Sequence, residues 1–394
     1  MTTTPSLVEP LSAVTAGWGL PWIVPTLVVM TIVAAIIIGY IAVAAMFLIW
    51  WERKISAHIQ VRFGPMRVGG WHGWAQSIAD GIKLLLKEDV IPAGADKVVF
   101  VLAPMVVFAA AVAAYVTIPW GPGLIVRDLN IGILYMVAIS SLVVVGIIMA
   151  GWSSNNKYSV LGAMRSAAQA VSYEVPLVLS LLGPVMIAGT MSMEKLVEAQ
   201  SGWWFGIFPK WFVFPQIVAF LVYFTCSLAE CNRLPFDIPE AESELVAGFH
   251  VEYSGMRFAI FFLAEYANMF VVAAIATTAF LGGWHGPWLS LPGLPGEVAH
   301  GLFGLFWFLV KCYVLIFVMI WLRWTLARLR VDQLMDFAWK VLLPIAFANL
   351  IITGLVLVLG KQVLLYLLGI AIVCFIAIAL ATRTASKPVR VGKA

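Results

Sequence analysis

Long apolar runs dominate the chain, interrupted at intervals by short polar stretches. Runs over 23–50, 98–119, 131–151, 167–190, 212–230, 257–281, 303–322, 341–359 and 362–381 match the roughly 20 residues a helix needs to cross a bilayer. They predict nine spanning helices. The last two are separated by Gly360–Lys361–Gln362 alone, read here as the turn of a tight hairpin. One segment has another rhythm. Trp74, Ile78, Ile82 and Leu85 recur at helical spacing, with Gln76, Asp80, Lys83 and Lys87 on the opposite face. An amphipathic helix ending before Pro92 is expected there. The predicted class is all-α, a polytopic membrane helix bundle.

Composition removes the soluble alternative. Hydrophobic residues make up 62% of the 394 and charged residues 11%, with a mean hydropathy of +0.99. Soluble chains hold about 45–50% apolar and about 25% charged residues, so polar side chains are too few to coat a water-facing globule. The net charge of +4 gives no ground for nucleic-acid binding. Its distribution is informative. Segments 51–97, 152–166, 231–257, 323–340 and 383–394 hold 19 Lys and Arg, against 4 in 1–22, 120–130, 191–211, 282–302 and 360–362. The bias places the first set on the cytoplasmic side of a bacterial-type inner or plasma membrane. The N-terminal segment 1–22 is then outside and the basic tail 383–394 inside. Segment 1–22 has no Lys or Arg and the first apolar run is too long for a signal peptide, so a retained first span is expected.

Cys226, Cys231, Cys312 and Cys374 form no Cys-x-x-Cys pair and read as buried free thiols. The histidines sit in loops or at helix margins, and no glycine-rich phosphate loop follows a strand-like run. No flavin, iron–sulfur cluster, haem or metal site is expected in this chain.

Ionisable groups at the centre of a spanning helix cost about 2.5 kcal/mol or more. Glu174 lies in the fourth run, Glu230 closes the fifth, and Glu265 lies about two turns into the sixth. All three fall in the inner half of the bilayer at graded depth. Pro176 and Gly183–Pro184 are expected to break the fourth helix beside Glu174, and freed backbone groups persist in a membrane only where water or protein satisfies them. A structural ion pair or a neutral carboxyl accounts for any one of these glutamates. Three in sequence below an acidic loop point to a proton relay. That loop, Glu230–Glu252, contains Glu230, Asp237, Glu240, Glu242, Glu244 and Glu252. Asp237 and Glu240 fit a helix cap. The surplus is a solvated face, a docking surface or an antechamber for protons. The amphipathic helix also reads two ways, as a helix flat in the headgroups or as the wall of a cavity beneath a cytoplasmic partner.

Six motifs carry a family resemblance: ERKISAHIQVRFGPMRVGG (52–70), ADGIKLLLKED (79–89), SYEVPLVL (172–179), ECNRLPFDIPEAESELVAGFHVEYSG (230–255), AEYANM (264–269) and WLRWTLARLRVDQLM (321–335). From about residue 24 to about 360 the chain resembles the H subunit of proton-pumping NADH-quinone oxidoreductase, respiratory complex I, whose mitochondrial counterpart is the first NADH dehydrogenase subunit. The resemblance implies a core over 23–360 that forms the membrane side of a quinone chamber and couples quinone reduction to proton translocation. Its chamber loops are 51–97 and 231–256. By motif, Arg53, Arg62, Arg67 and Asp80 belong to the chamber entrance and walls. Phe236, Asp237, Glu240, Glu242 and Glu244 belong to the loop joining chamber to membrane, and Glu174, Glu230 and Glu265 match the family's proton channel. Quinone is the implied substrate, shared with partner subunits. The implied partners are the iron–sulfur and quinone-site subunits of the peripheral arm, which supply the electrons, neighbouring small membrane subunits, and the lipid bilayer. His58 stands where the family usually has Arg, and Met66 where it usually has Asn. The ninth run, within 361–382, is an addition to the family's eight spans. Two alternatives stay open: the homologous subunit of an energy-converting hydrogenase or F420-linked complex, and a solitary secondary transporter, a class that also uses broken helices and buried glutamates.

Overall fold

A computed structural model describes residues 23–204, 208–238, 242–286 and 296–359, with positions 369, 370 and 373. In chain order the helices are α1 (Ile23–Ile59), α2 (Gln76–Leu86), α3 (Lys97–Ala114), α4 (Gly132–Ser153), α5 (Lys157–Ala188), α6 (Met193–Glu198), α7 (Ile217–Glu230), α8 (Glu242–Leu245), α9 (Gly255–Phe280), α10 (Gly296–Thr325), α11 (Val331–Phe337) and α12 (Leu343–Leu359). A π-helical stretch, Ala338–Leu342, joins the last two into one rod. The only strands among the described residues form a minimal antiparallel ladder, Trp203–Trp204 with Phe208–Pro209. The all-α expectation holds. Seven helices have the length and apolarity of membrane spans, and the apolar α7 is shorter. The predicted ninth span, 362–381, lies outside the described residues apart from positions 369, 370 and 373.

Helix ends depart from the apolar runs where polar residues continue a helix beyond the hydrocarbon. α1 extends to Ile59, so Glu52, Arg53 and Lys54 are helical rather than the start of a loop. α5 begins at Lys157, because Asn156 caps it: its Oδ1 accepts from Tyr158 N at 3.0 Å. The same side chain donates to Glu252 Oε1 at 2.6 Å and ties this corner to the acidic loop. The expected break in α5 does not occur. Pro176 and Pro184 are both buried inside one continuous helix, their missing donors tolerated amid tight packing.

α9 is the central element. Its most apolar window is 67% buried, against 28% for α1 and α4. From Tyr266 to Phe280 every residue is buried. Alanines at 267, 273, 274, 276 and 279 let neighbouring backbones approach closely, the usual basis of helix association in lipid. α3 packs on α4 and α9, α4 on α5, α5 on α7 and α12, and α9 on α10. The acidic loop is held against α5: Ser159 Oγ donates to Phe249 O at 2.9 Å, and a Cβ on Gly162 would lie 2.6 Å from Gly248 Cα. Lys311, midway along α10, is buried. Its Nζ donates to the carbonyls of Leu281, Gly283 and His285 at 2.7, 2.9 and 2.5 Å and lies 4.5 Å over the Trp211 ring. The ammonium thus spends all its donors on backbone carbonyls of the turn that follows α9.

Candidate functional site

Four elements deliver charges to one buried point. The extension of α1 brings Glu52, the turn after α7 brings Arg233, α9 brings Glu265 and Tyr266, and α10 brings Arg323. Glu52 is 5% exposed and Arg233 2%. Arg233 Nη1 is 3.1 Å from Glu52 Oε2, and its Nε is 3.1 Å from Glu265 Oε1. Arg323 Nη1 donates to Glu52 Oε1 at 2.5 Å, and Tyr266 OH donates to Glu52 Oε2 at 2.8 Å. The Arg233 guanidinium also sits 4.7 Å over the Tyr266 ring. Two carboxylates face two guanidiniums, so the cluster is internally neutral. That balance is what makes burial of charge tolerable.

Glu265 opens on a small cavity of about 40 Å³, which it lines with Glu230, Asn232, His250 and Asn268. A second cavity, of about 30 Å³, is lined by Glu230, Glu174, Ser140, Ser141, Asn232 and Asn268. Glu230, Asn232 and Asn268 belong to both. Each has room for a water molecule and several polar partners for it. Ser141 Oγ donates a short hydrogen bond to Glu174 Oε1. The three glutamates expected from sequence are therefore brought together, in the order Glu174, Glu230, Glu265, and the ion-pair cluster continues the row to Glu52.

The other expected residues separate into groups. Arg53 Nη1 pairs with Asp80 Oδ2 at 2.6 Å, fastening the amphipathic helix α2 to the C-terminal end of α1. Arg62 and Arg67 are exposed, and Arg62 Nε donates to Gln60 Oε1 at 2.7 Å. Of the two departures, Met66 has its sulfur 3.1 Å from Lys54 Nζ, and His58 is exposed. The apolar face of α2, with Trp74, Ile78, Ile82 and Leu85, is exposed, ready for lipid or a partner. Phe236 lies in the stretch that follows α7. It is buried, with ring centroids 5.3 Å from Tyr173 and 6.4 Å from Phe337. The Asp237 carboxylate lies 3.5 Å from Arg328. Glu244 is exposed and pairs with Arg165 at 2.7 Å; that hydrogen bond holds its carboxyl below the usual range. Glu240 lies outside the described residues. Glu242 begins α8, and its side chain is likewise outside them.

Sequence reasoning missed Glu52, Arg233, Tyr266 and Arg323 as site residues. Each lies inside a quoted motif, yet the two arginines read as ordinary inner-margin positive charges. The available signal was Glu52, an acid at the positive-inside margin of a span.

A polytopic helical membrane protein with a buried, charge-balanced interior is the class defined so far. The family model described as NADH dehydrogenase matches residues 31–354. The H subunit of NADH-quinone oxidoreductase from Dehalococcoides mccartyi (strain CBDB1) is 50% identical over 328 residues, 83% of this chain and 87% of that one. The H subunit from Chlorobaculum tepidum is 49% identical over 361 residues, covering 90% and 99%, and that from Chlorobium luteolum 50% over 330 residues, covering 82% and 88%. The chain belongs to the family of H subunits of NADH-quinone oxidoreductase and is a membrane subunit of an oxidoreductase complex.

Proposed function

We propose that this chain forms the membrane side of a quinone-binding chamber in a proton-pumping NADH-quinone oxidoreductase and couples quinone reduction to proton movement through Glu265, Glu230 and Glu174. The observation that carries the proposal is the pair of water-sized cavities meeting at Glu230. Arg53, Arg62, Arg67 and Asp80 would line the mouth, α2 lying beneath a cytoplasmic partner. Phe236, Asp237, Glu240, Glu242 and Glu244 would belong to the loop joining chamber to membrane, and iron–sulfur subunits of the peripheral arm would deliver the electrons. With the Lys and Arg bias oriented inward, the N-terminus is outside and the chamber opens at the cytoplasmic face. Family membership favours this reading over a hydrogenase-type subunit or a solitary transporter.

The chemistry follows from charge. Reducing a quinone adds two electrons and takes up two protons, so negative charge appears transiently in a poorly solvated space. At low dielectric that charge is felt strongly by neighbouring groups. The neutral Glu52–Arg233–Glu265–Arg323 cluster transmits it, because displacing one guanidinium leaves a carboxylate uncompensated. Protons then redistribute along acids that do not titrate independently, with water in the two cavities bridging the carboxyl groups. Substituting Glu230→Gln in the assembled complex keeps shape and removes the titrating proton. Protons pumped per electron should fall while complex yield is unchanged. Unchanged turnover and pumping would make Glu230 structural and overturn the relay.

A further inference from the structure

On the side of α10 away from α1 lies an apolar cleft of about 860 Å³ between α7, α10 and α11. Its floor is Leu228, Phe236, Leu315 and Val341, all buried, and Leu221 and Leu326 stand exposed on opposite walls. Few polar groups line it, and most are engaged locally. Thr225 Oγ1 donates to Leu221 O at 2.8 Å, Gln333 Oε1 accepts from Arg330 N at 3.2 Å, and Asp336 pairs with Lys340 at 2.5 Å. The mostly apolar lining offers water few partners, and an unfilled void would forfeit the dispersion contacts of that lining. From Leu315 to Leu326 the α10 wall rises about 16 Å at 1.5 Å per residue, close to half of a roughly 30 Å hydrocarbon core. The cleft is one leaflet deep.

At its cytoplasmic end the surface changes character. Leu329 lines both the cleft and a polar hollow of about 360 Å³, whose other walls include Arg165, Arg328, Arg330, Glu244 and Asp332. Arg165 is paired with Glu244 and Arg328 with Asp237, so the cation free to meet a further anion is Arg330. Arg330 is exposed and forms no ion pair among the described residues. An apolar slot one leaflet long, capped by a cationic hollow at headgroup height, is complementary to one kind of molecule. We infer that the cleft and hollow together bind an anionic phospholipid of the inner leaflet, its acyl chain against Leu228 and Phe236 and its phosphate on Arg330 with Arg165 and Arg328.

The test uses the intact complex, delipidated in mild detergent and exchanged into nanodiscs of phosphatidylglycerol and phosphatidylcholine, with retained lipid counted by native mass spectrometry. Phosphatidylglycerol should be retained in preference to phosphatidylcholine by about fivefold per unpaired guanidinium. Arg330→Gln should abolish the preference while a lipid is still held. Leu326→Trp, which fills the slot from one exposed wall, or Leu221→Trp from the other, should lower retention of both lipids. Equal retention of the two lipids by the unaltered complex overturns the inference, as does full retention of phosphatidylglycerol in both Trp variants. Stoichiometric displacement of the lipid by a short-chain quinone makes the occupant a quinone and overturns it, and release of lipid on adding back an acidic partner segment does so in favour of protein.

Discussion

Replacing Arg233 by Met keeps much of the side-chain volume and removes the charge between Glu52 and Glu265. Glu52 keeps Arg323 and Tyr266 as donors, whereas Glu265 loses the one ion pair it makes among the described residues. Removing one partner of a buried pair costs about 3–5 kcal/mol, because the other charge is left uncompensated. At roughly 2 °C per kcal/mol for a chain of this size, the midpoint of heat-induced dissociation should fall by about 6–10 °C. Adding Glu265→Gln removes the stranded charge. The double variant should therefore be more stable than the sum of the two single losses by about 2 kcal/mol, a recovery of about 4 °C. The assay is the temperature at which this subunit leaves the detergent-solubilised complex, followed for the parent, both single variants and the double. Strict additivity would refute the view that Arg233 and Glu265 act as one unit.

Gly162→Ala puts a Cβ 2.6 Å from the backbone of Gly248, which cannot yield as a side chain does. A loss of about 1–3 kcal/mol and faster proteolysis within 242–254 should follow, and unchanged proteolysis would mean the acidic loop is not held by this contact. His250, ringed by Phe249, Phe258 and Phe262, has its imidazole pushed down to about 4 by burial. Its contribution is complete above the unfolded value near 6.5 and is lost as pH falls through 4, by up to about 3 kcal/mol. Melting curves of His250→Phe should flatten over that window. Arg53 is 44% exposed in its pair with Asp80, so Arg53→Lys should cost little stability yet raise the apparent KM for short-chain quinones by up to about fivefold. Electron transfer to an artificial acceptor at the peripheral arm should not change, and an unmoved KM would assign Arg53 to lipid anchoring.

Apolar periodicity was enough to locate the described spans and the amphipathic helix, because bilayer thickness and helical rise leave few other solutions. It misplaced ends wherever polar residues stay helical beyond the hydrocarbon, as at Glu52 in α1 and Lys157 in α5. It also treated Pro176 and Pro184 as breaks, when surrounding helices keep α5 continuous. Glu174, Glu230 and Glu265 stood out because acids in apolar runs are costly. Arg233 and Arg323 did not, since inner-margin arginines are what any membrane protein displays. Their pairing with Glu52 joins residues 181 and 271 positions apart, a closure that only tertiary packing creates. The packing of the Phe236 ring on Tyr173 and Phe337 is likewise visible only in the folded chain.

Lys311 gives α10 a fulcrum. With its ammonium clamped by the carbonyls of Leu281, Gly283 and His285 in the turn after α9, α10 is pinned to the core near its midpoint, and a tilt about that point would be felt at its ends. Arg323 sits there, about 18 Å along the axis at 1.5 Å per residue. A tilt of about 5° about the clamp would carry its guanidinium roughly 1.6 Å, by the same rise. That stroke exceeds the latitude of a 2.5 Å contact with Glu52. One arm of α10 thus ends on the carboxylate that organises the buried charges, so a small angular change about the clamp would become the difference between a paired and an unpaired glutamate.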